Sequence, residues 1–338
     1  MRKVLILTDG KAGHENQSKA FARALGCEFE LVEVHFKSKF HKALSYFLDR
    51  VGIRTMRLLK GEVASSPLQK MSVLSRAGGK DAASPFRAVI GAGSGTFYAA
   101  KAMAKRLGVK CGVVLYPRGY DIGSFDCVLA PAFDRPKAAA NVIEIPTNLV
   151  ANDESFYSKG VEAFRAHYAQ SNNQAIRQSD NAIAVIVGGP NKCSTMTPEW
   201  MKKQLDAIFQ SPNQPITQST NTHFWVTTSR RTPPDVEAVV DSYPWDYKLL
   251  YSKDHFNPIP AFVKLAKRLY VTAESTGMLS EACTFGTAEV VALDNLNPGP
   301  HKFRRFVEDL RKAGYVDGNR KVDLAAQFDQ ARALMGLA

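Results

Sequence analysis

Val271–Gly286 reads VTAESTGMLSEACTFG, a strand, a polar turn and a short helix in succession. The run Leu269–Thr272 is apolar and β-prone, which marks a buried strand. Ala273-Glu274-Ser275-Thr276-Gly277 is small and polar, and either Ser275 or Thr276 can serve as a helix N-cap. Met278, Leu279, Ala282, Cys283 and Phe285 then supply one apolar face, and Gly286 stops the helix. A helix N-terminus has unpaired N–H groups and a partial positive charge, so Ser275, Thr276, Gly277 and Met278 outline a place for a phosphate. Glu281, in the second turn, can accept from a ribose diol. A plainer reading stands beside this one, with Glu281 a solvated helix residue and Ser275 only a cap.

Outward from that unit the same alternation continues in both directions. Toward the N-terminus, Lys248–Tyr251, Phe224–Thr228 and Ala182–Val187 read as strands, with helices over Pro234–Tyr243 and Pro198–Phe209. Toward the C-terminus, Glu289–Leu293 is a last strand, and His301–Ala313 and Leu324–Leu334 are closing helices. Gln170–Asn181, QSNNQAIRQSDN, is the most linker-like stretch of the chain. Before it lies a second series. Strands fall at Lys3–Thr8, Glu28–Val34, Arg87–Ile90, Lys110–Leu115, Cys127–Leu129 and Val142–Ile145. Helices run from Asn16 or Ser18 to Leu25, over the basic stretch near residue 40, up to Leu107, and over Asp153–Ala169, while Glu62–Ser84 is irregular. Strands alternating with helices predict a doubly wound α/β fold, here two Rossmann-like domains over 1–170 and 181–300 with closing helices over 301–338.

The composition, 45% hydrophobic and 22% charged over 338 residues, is that of a globular protein with a full core. Five scattered cysteines without a Cys-x-x-Cys pair fit free thiols rather than a disulfide framework or a structural zinc site. MRKVLILTDG reads as a first strand, not a signal peptide, and no apolar run approaches a membrane span, so the expectation is a soluble or peripheral protein. The net charge of +12 is uneven: residues 1–150 hold 23 Lys and Arg against 12 Asp and Glu, of 44 and 32 in all. Much of the excess lies in Phe36–Gly61, where Lys37, Lys39, Lys42, Arg50 and Arg54 face Asp49 alone among acids. Phe36, Phe40, Leu44, Phe47, Leu48 and Val51 recur at helical spacing between them. Such a helix reads as a membrane-surface element or a clamp for an anionic ligand; the other reading is a core-packed helix with a basic solvent face. Nucleic acid is not an expected partner, since no zinc finger, RRM-type motif or basic tail accompanies the charge.

Four turns carry polar chemistry. Gly91–Thr96, GAGSGT, follows a strand and opens a helix, but Thr96 replaces the third glycine of a dinucleotide fingerprint, so the reading is a packing turn rather than an NAD site. Gly188-Gly189-Pro190-Asn191-Lys192 follows the first strand of the second half; its glycines let backbone N–H groups approach a phosphate, and Lys192 adds charge. In Thr227–Thr232, TTSRRT, Ser229 and Arg230 lie where an arginine fork can meet phosphate oxygens. Asp9–Gln17, DGKAGHENQ, sets Asp9 and His14 in one glycine-containing turn, which makes His14 a general-base candidate. The chain has no Asp-x-Asp and no His/Cys cluster, so no catalytic metal is expected.

In order along the chain, DGKAGHENQ, GAGSGT, VGGPNK, TTSRRTP, VTAESTGMLSEACTFG and HKFRRF resemble the family named after the plant Elm (elongated mitochondria) fission protein. Its bacterial members are regarded as glycosyltransferases of the GT-B fold, two Rossmann-like domains facing each other across a cleft. More distantly, the layout is similar to the peptidoglycan N-acetylglucosaminyl transferases. On that likeness Gly13-His14, Gly188-Gly189 and Glu281 are the matching positions, although the long glycine run before the histidine is missing. The resemblance implies a metal-independent, inverting transferase that uses a nucleotide-sugar as substrate and needs no cofactor. Its donor would sit on Gly188, Gly189, Asn191, Lys192, Ser229, Arg230, Ser275, Thr276, Gly277, Met278 and Glu281. The basic first half would hold an anionic or lipid-linked glycan acceptor, of lipopolysaccharide type, at the cytoplasmic membrane face. His14 or Asp9 would be the base. The rival classes are a non-catalytic membrane or protein adaptor, as the plant namesake suggests, and a sugar-nucleotide epimerase.

Overall fold

The structure, a computed structural model, describes residues 2–60, 84–169, 181–210 and 222–338. The irregular stretch expected over Glu62–Ser84 and the linker expected over Gln170–Asn181 lie outside the described residues, apart from Ser84 and Asn181. The chain forms two compact units, one of Met1–Ala151 with Leu324–Ala338 and the other of Asn152–Asp323.

The first unit carries β1 (Lys3–Thr8), α1 (Ala12–Ala24), β2 (Glu28–Glu33), α2 (Lys39–Arg50), β3 (Ala88–Ala92), α3 (Phe97–Leu107), β4 (Lys110–Val114), β5 (Cys127–Pro131) and β6 (Val142–Ile145). Its strands form one parallel sheet in the order β2-β1-β3-β4-β5-β6, with Ile6 of β1 opposite Leu31 on one side and Ile90 on the other. Val4 to Leu7, Val89 and Ile90 are buried, as central strands covered on both faces require. The structure corrects one boundary that matters later. Helix α1 starts at Ala12, not at Asn16 or Ser18, so His14 stands on its first turn, with its N–H bonded to the Lys11 carbonyl at 3.0 Å. Gly13 looked like part of a turn, but a glycine in a first helical turn costs little.

The second unit carries α4 (Glu154–Ala169), β7 (Ala182–Ile186), α5 (Pro198–Gln210), β8 (His223–Thr227), α6 (Pro234–Asp241), β9 (Tyr247–Leu249), α7 (Ile259–Leu265), β10 (Ala266–Thr272), α8 (Thr276–Phe285), β11 (Glu289–Leu293) and α9 (Lys302–Lys312). Its parallel sheet runs β11-β10-β7-β8-β9. Helix α7 had no counterpart in the sequence reading. Pro258 is its N-cap and Pro260 lies in its first turn, where the missing N–H costs no hydrogen bond. The last helix, α10 (Ala325–Leu334), rejoins the first unit.

The expected division at 170–181, with separate closing helices over 301–338, is therefore displaced. Helix α4 belongs to the second unit, because Phe164 packs against Trp225, Tyr247 and Phe262, and Tyr157 stacks on Phe285 at 4.6 Å. In each sheet the strand order reverses once, between β1 and β3 and between β10 and β7. Doubly wound sheets bind ligands at the strand C-termini beside such reversals.

Candidate functional site

In the first unit the reversal point is formed by the ends of β1 and β3. His14 Nδ1 lies 2.9 and 3.1 Å from the two carboxylate oxygens of Asp9, and Lys11 Nζ donates to Asp9 Oδ2 at 2.6 Å. The turn after β3 is pressed onto this pair. A Cβ on Gly93, whose φ is +81°, would lie 2.3 Å from the His14 ring, and one on Gly95 would lie 2.7 Å from Asp9. The GAGSGT turn is thus a packing turn with a specific cargo, the Asp9–His14 pair. Thr96, in the place of a third glycine, is buried and donates from Oγ1 to the Ala92 and Gly93 carbonyls at 3.0 and 3.1 Å.

Burial tends to raise the Asp9 carboxyl, but hydrogen bonds and charge from Lys11 and His14 outweigh it and hold the group below its ordinary value. Asp9 is therefore a carboxylate held between the Lys11 ammonium and the His14 ring. His14 Nε2 has no hydrogen-bond partner among the described residues. An imidazole tied at Nδ1 to a carboxylate and open at Nε2 can take a proton at the open nitrogen, while the carboxylate balances the resulting charge.

In the second unit the loops after β7, β8, β10 and β11 are knitted together, and the centre of the knot is a residue the sequence reading passed over. Glu274 is 2% exposed. Its Oε1 accepts from the Gly189 N–H at 2.8 Å and the Thr272 hydroxyl at 3.1 Å, and its Oε2 accepts from Asn295 Nδ2 at 2.8 Å. The Gly188 N–H donates to Thr272 Oγ1 at 2.9 Å, and Thr232 Oγ1 donates to the Gly188 carbonyl at 2.6 Å. This corrects the reading of Gly188 and Gly189 as a phosphate cradle. Both N–H groups are already used, and the missing side chains make room for protein. A Cβ on Gly188 would meet Glu274 Oε1 at 2.0 Å, and one on Gly189 would meet the Arg231 carbonyl oxygen at 2.2 Å. A lone acid inside the small-residue run VTAEST was the available signal, since a buried carboxylate must be hydrogen-bonded.

Around the knot several expected donor positions stay open. Helix α8 begins at Thr276 with Ser275 in the cap position, but the Ser275 side chain makes no cap hydrogen bond. The N–H groups of Thr276, Gly277 and Met278 have no partner among the described residues, and a Cβ on Gly277 would point into open space. Lys192 and Arg230 are exposed, while Asn191 is folded into its own turn, its Oδ1 accepting from Cys193 N at 2.7 Å. Ser229 and Arg230, with Tyr251, Ser252 and Lys253, border a cavity of about 470 Å³ at the ends of β8 and β9.

Glu281 is half-buried on α8 beside Tyr157 of α4. Burial raises its carboxyl, and the Tyr157 hydroxyl, which falls short of a well-aligned hydrogen bond, offsets part of that. Burial raises the Tyr157 phenol too, and the neighbouring Glu281 charge adds to it.

Of the expected acceptor-side cations, Lys37, Lys39 and Arg50 are exposed. Lys42 reaches Ser94 Oγ at 2.9 Å, and Arg54 turns inward, its Nε 3.9 Å from Asp49. Arg54 is thus corrected from a surface contact to a neighbour of a buried acid. All five cysteines are free thiols, and burial pushes Cys127 and Cys283 up to about 12. Among the described residues, no group of three or more His, Cys, Asp or Glu side chains is placed to hold a metal ion. Among them, too, no helix is long and apolar enough to cross a membrane.

Two parallel doubly wound sheets, each with polar groups at its point of reversal, define a two-unit Rossmann-like α/β protein. Residues 12–331 match the family described as mitochondrial fission ELM1, and the chain belongs to that family. Solved structures give lower likeness. The UDP-GlcNAc 2-epimerase from Neisseria meningitidis bound to UDP-GlcNAc is 12% identical, with 99% of this chain and 100% of that one covered at a TM-score of 0.46. MurG from Acinetobacter baumannii is 13% identical over 99% and 92% of the two chains, with a TM-score of 0.46. A UDP-glucosyltransferase from Polygonum tinctorium is 9% identical over 100% and 94%, with a TM-score of 0.47. No curated protein matches the chain.

Proposed function

We propose that this protein is a glycosyltransferase of the GT-B class that moves a sugar from a nucleotide-sugar to a lipid-linked or surface-polysaccharide acceptor, of lipopolysaccharide type, at the cytoplasmic membrane face. The reading is supported, within each unit separately, by an open group at that unit's reversal point. One is a proton acceptor, His14 Nε2, and the other is the uncapped positive end of α8. His14, oriented by Asp9, would take the proton of the acceptor hydroxyl as its oxygen bonds to the anomeric carbon. The bond from that carbon to the diphosphate breaks in the same displacement, inverting the centre. The nucleoside diphosphate leaves with the bonding electrons, and the α8 N-terminus, Lys192 and Arg230 would balance its charge without a metal. Glu281 would accept from the ribose.

The test is thermal stability of the whole protein with UDP-, GDP-, CMP- and ADP-sugars and with NAD. A cognate sugar nucleotide at 100 times its Kd adds about 2.7 kcal/mol of stability. The expected result is a response to one nucleotide class and none to NAD. Silence toward every sugar nucleotide overturns the reading. It would favour the second one, a non-catalytic adaptor, for which the exposed apolar residues of α2 speak.

A further inference from the structure

Helix α2 buries a polar pair among its core-facing residues and leaves large apolar residues outside. Beside the core-packed Leu44 and Leu48, its inward side carries Ser45, fully buried with Oγ 3.0 Å from Tyr120 Oη, and Asp49, 1% exposed. The Asp49 carboxylate accepts from Lys101 Nζ at 2.8 and 2.7 Å and from the Asp121 N–H at 2.7 Å. Lys101 is itself buried and lies over the Phe125 ring at 4.1 Å. The outward face is apolar: Phe40 is 70% exposed, Phe47 62% and Val51 53%, and Ile53 in the following turn is 50% exposed. These are four of the five large exposed hydrophobic residues among those described. The helical spacing in the sequence grouped Phe36, Phe40, Leu44, Phe47, Leu48 and Val51 as one face. The structure splits them, with Phe36, Leu44 and Leu48 packed on the core and the other three facing out.

The charges around the outward face select its occupant. Lys37, Lys39, Arg50 and Arg57 are exposed beside it, and Asp49, the one acid between Val34 and Lys60, is consumed inside. Gly52, at φ +73° with open space around it, stands between the exposed Val51 and Ile53. An apolar ridge beside exposed cations, with no exposed acid between Val34 and Lys60, fits a surface that is apolar below and anionic above. The geometry points to an anionic lipid bilayer as the occupant of this face, with Phe40, Phe47, Val51 and Ile53 as the inserted residues. The helix also touches the candidate base site. Lys42 bonds Ser94, and Ser94 lies between Gly93, which packs on His14, and Gly95, which packs on Asp9. A lipid-borne acceptor would therefore arrive next to His14. That last step rests on the sugar-transfer reading; the bilayer contact does not.

The experiment uses the full chain in sedimentation with vesicles of phosphatidylcholine alone and with added phosphatidylglycerol, at low and high salt. Wild type should sediment with the anionic vesicles only, and less at high salt. Lys39→Gln with Arg50→Gln should weaken binding by about fivefold for each charge removed. Phe40→Ser with Phe47→Ser, both at solvent-facing positions, should abolish binding while the melting temperature and any sugar-nucleotide response stay as in wild type. Absence of wild-type binding to anionic vesicles overturns the proposal, as does undiminished binding by the serine variant. So does a wild type that dimerises through this face and ignores vesicles. Since vesicle binding and nucleotide response are separate readouts, either reading can fail without the other.

Discussion

Gly93 and Gly188 occupy equivalent places, each just past a buried parallel strand next to the point where its sheet reverses, and their neighbourhoods differ. Gly93 yields its space to the His14 ring, whose far nitrogen stays open. Gly188 yields its space to Glu274, whose carboxylate absorbs the N–H of Gly189 and the donors of Thr272 and Asn295. The first turn supports a side chain that faces out, and the second closes a set of loops from within. A glycine-rich turn therefore records a close approach, and only the approaching group tells whether it serves chemistry or cohesion.

Substitutions should separate the two roles. The largest effect is expected for His14→Ala, which should lower the transfer rate by about a thousandfold with sugar-nucleotide affinity unchanged. Equal rates in single-turnover assays would remove His14 from the base role. Glu274→Ala should instead act on stability, by about 3 kcal/mol in denaturant titration, because three buried donors lose their acceptor. Melting like wild type would mean that the loops are held together elsewhere. The glycines extend the contrast. Gly188→Ala should cost about 1–3 kcal/mol of stability through overpacking, whereas Gly93→Ala should chiefly cost rate by displacing the imidazole. If Gly93→Ala leaves the rate intact, the cradle is not needed.

A smaller effect concerns Glu281. Its folded carboxyl is raised by burial, so the folded state holds the proton more tightly than the unfolded chain does. The stability this lends is complete below the ordinary value of 4.5 and is lost as pH rises through the raised one. Wild type should thus lose ground to Glu281→Gln as pH climbs across that window, measured by parallel thermal melts; a constant difference would refute the shift. No effect at all is expected from chelation. Transfer that stops in EDTA and returns with magnesium or manganese would reject the metal-free reading.

Much of the fold was legible because buried parallel strands are short, apolar and punctuated. Val142–Ile145 and Glu289–Leu293 were read to the residue, and no strand of either sheet was missed. Helix α7, only seven residues long, had no counterpart, and the start of α1 was hidden because Asp9–Gln17, with its two glycines, reads as a polar turn. At the sites, the Asp9–His14 pair was visible as a local cluster. Glu274 was not, since its partners come from loops far apart in the chain, and neither was the buried Asp49–Lys101 pair under α2. Periodicity finds a helix face; it does not say which face the core takes when a buried lysine waits for an acid.

The return of α10 to the first unit has a consequence for biosynthesis. Residues 152–323 form a continuous unit, so that part of the chain can complete its sheet as soon as it leaves the ribosome. The first unit cannot. Arg332 donates to the Ala24 carbonyl, and Met335 packs against Gly112 of β4, where a Cβ would lie 2.9 Å from its terminal methyl. Those contacts form only after residues 325–335 have been translated. The first unit's strands thus emerge before those of the second yet are sealed after them, and a nascent chain halted before residue 324 exposes an apolar flank to chaperones however well its six strands have paired.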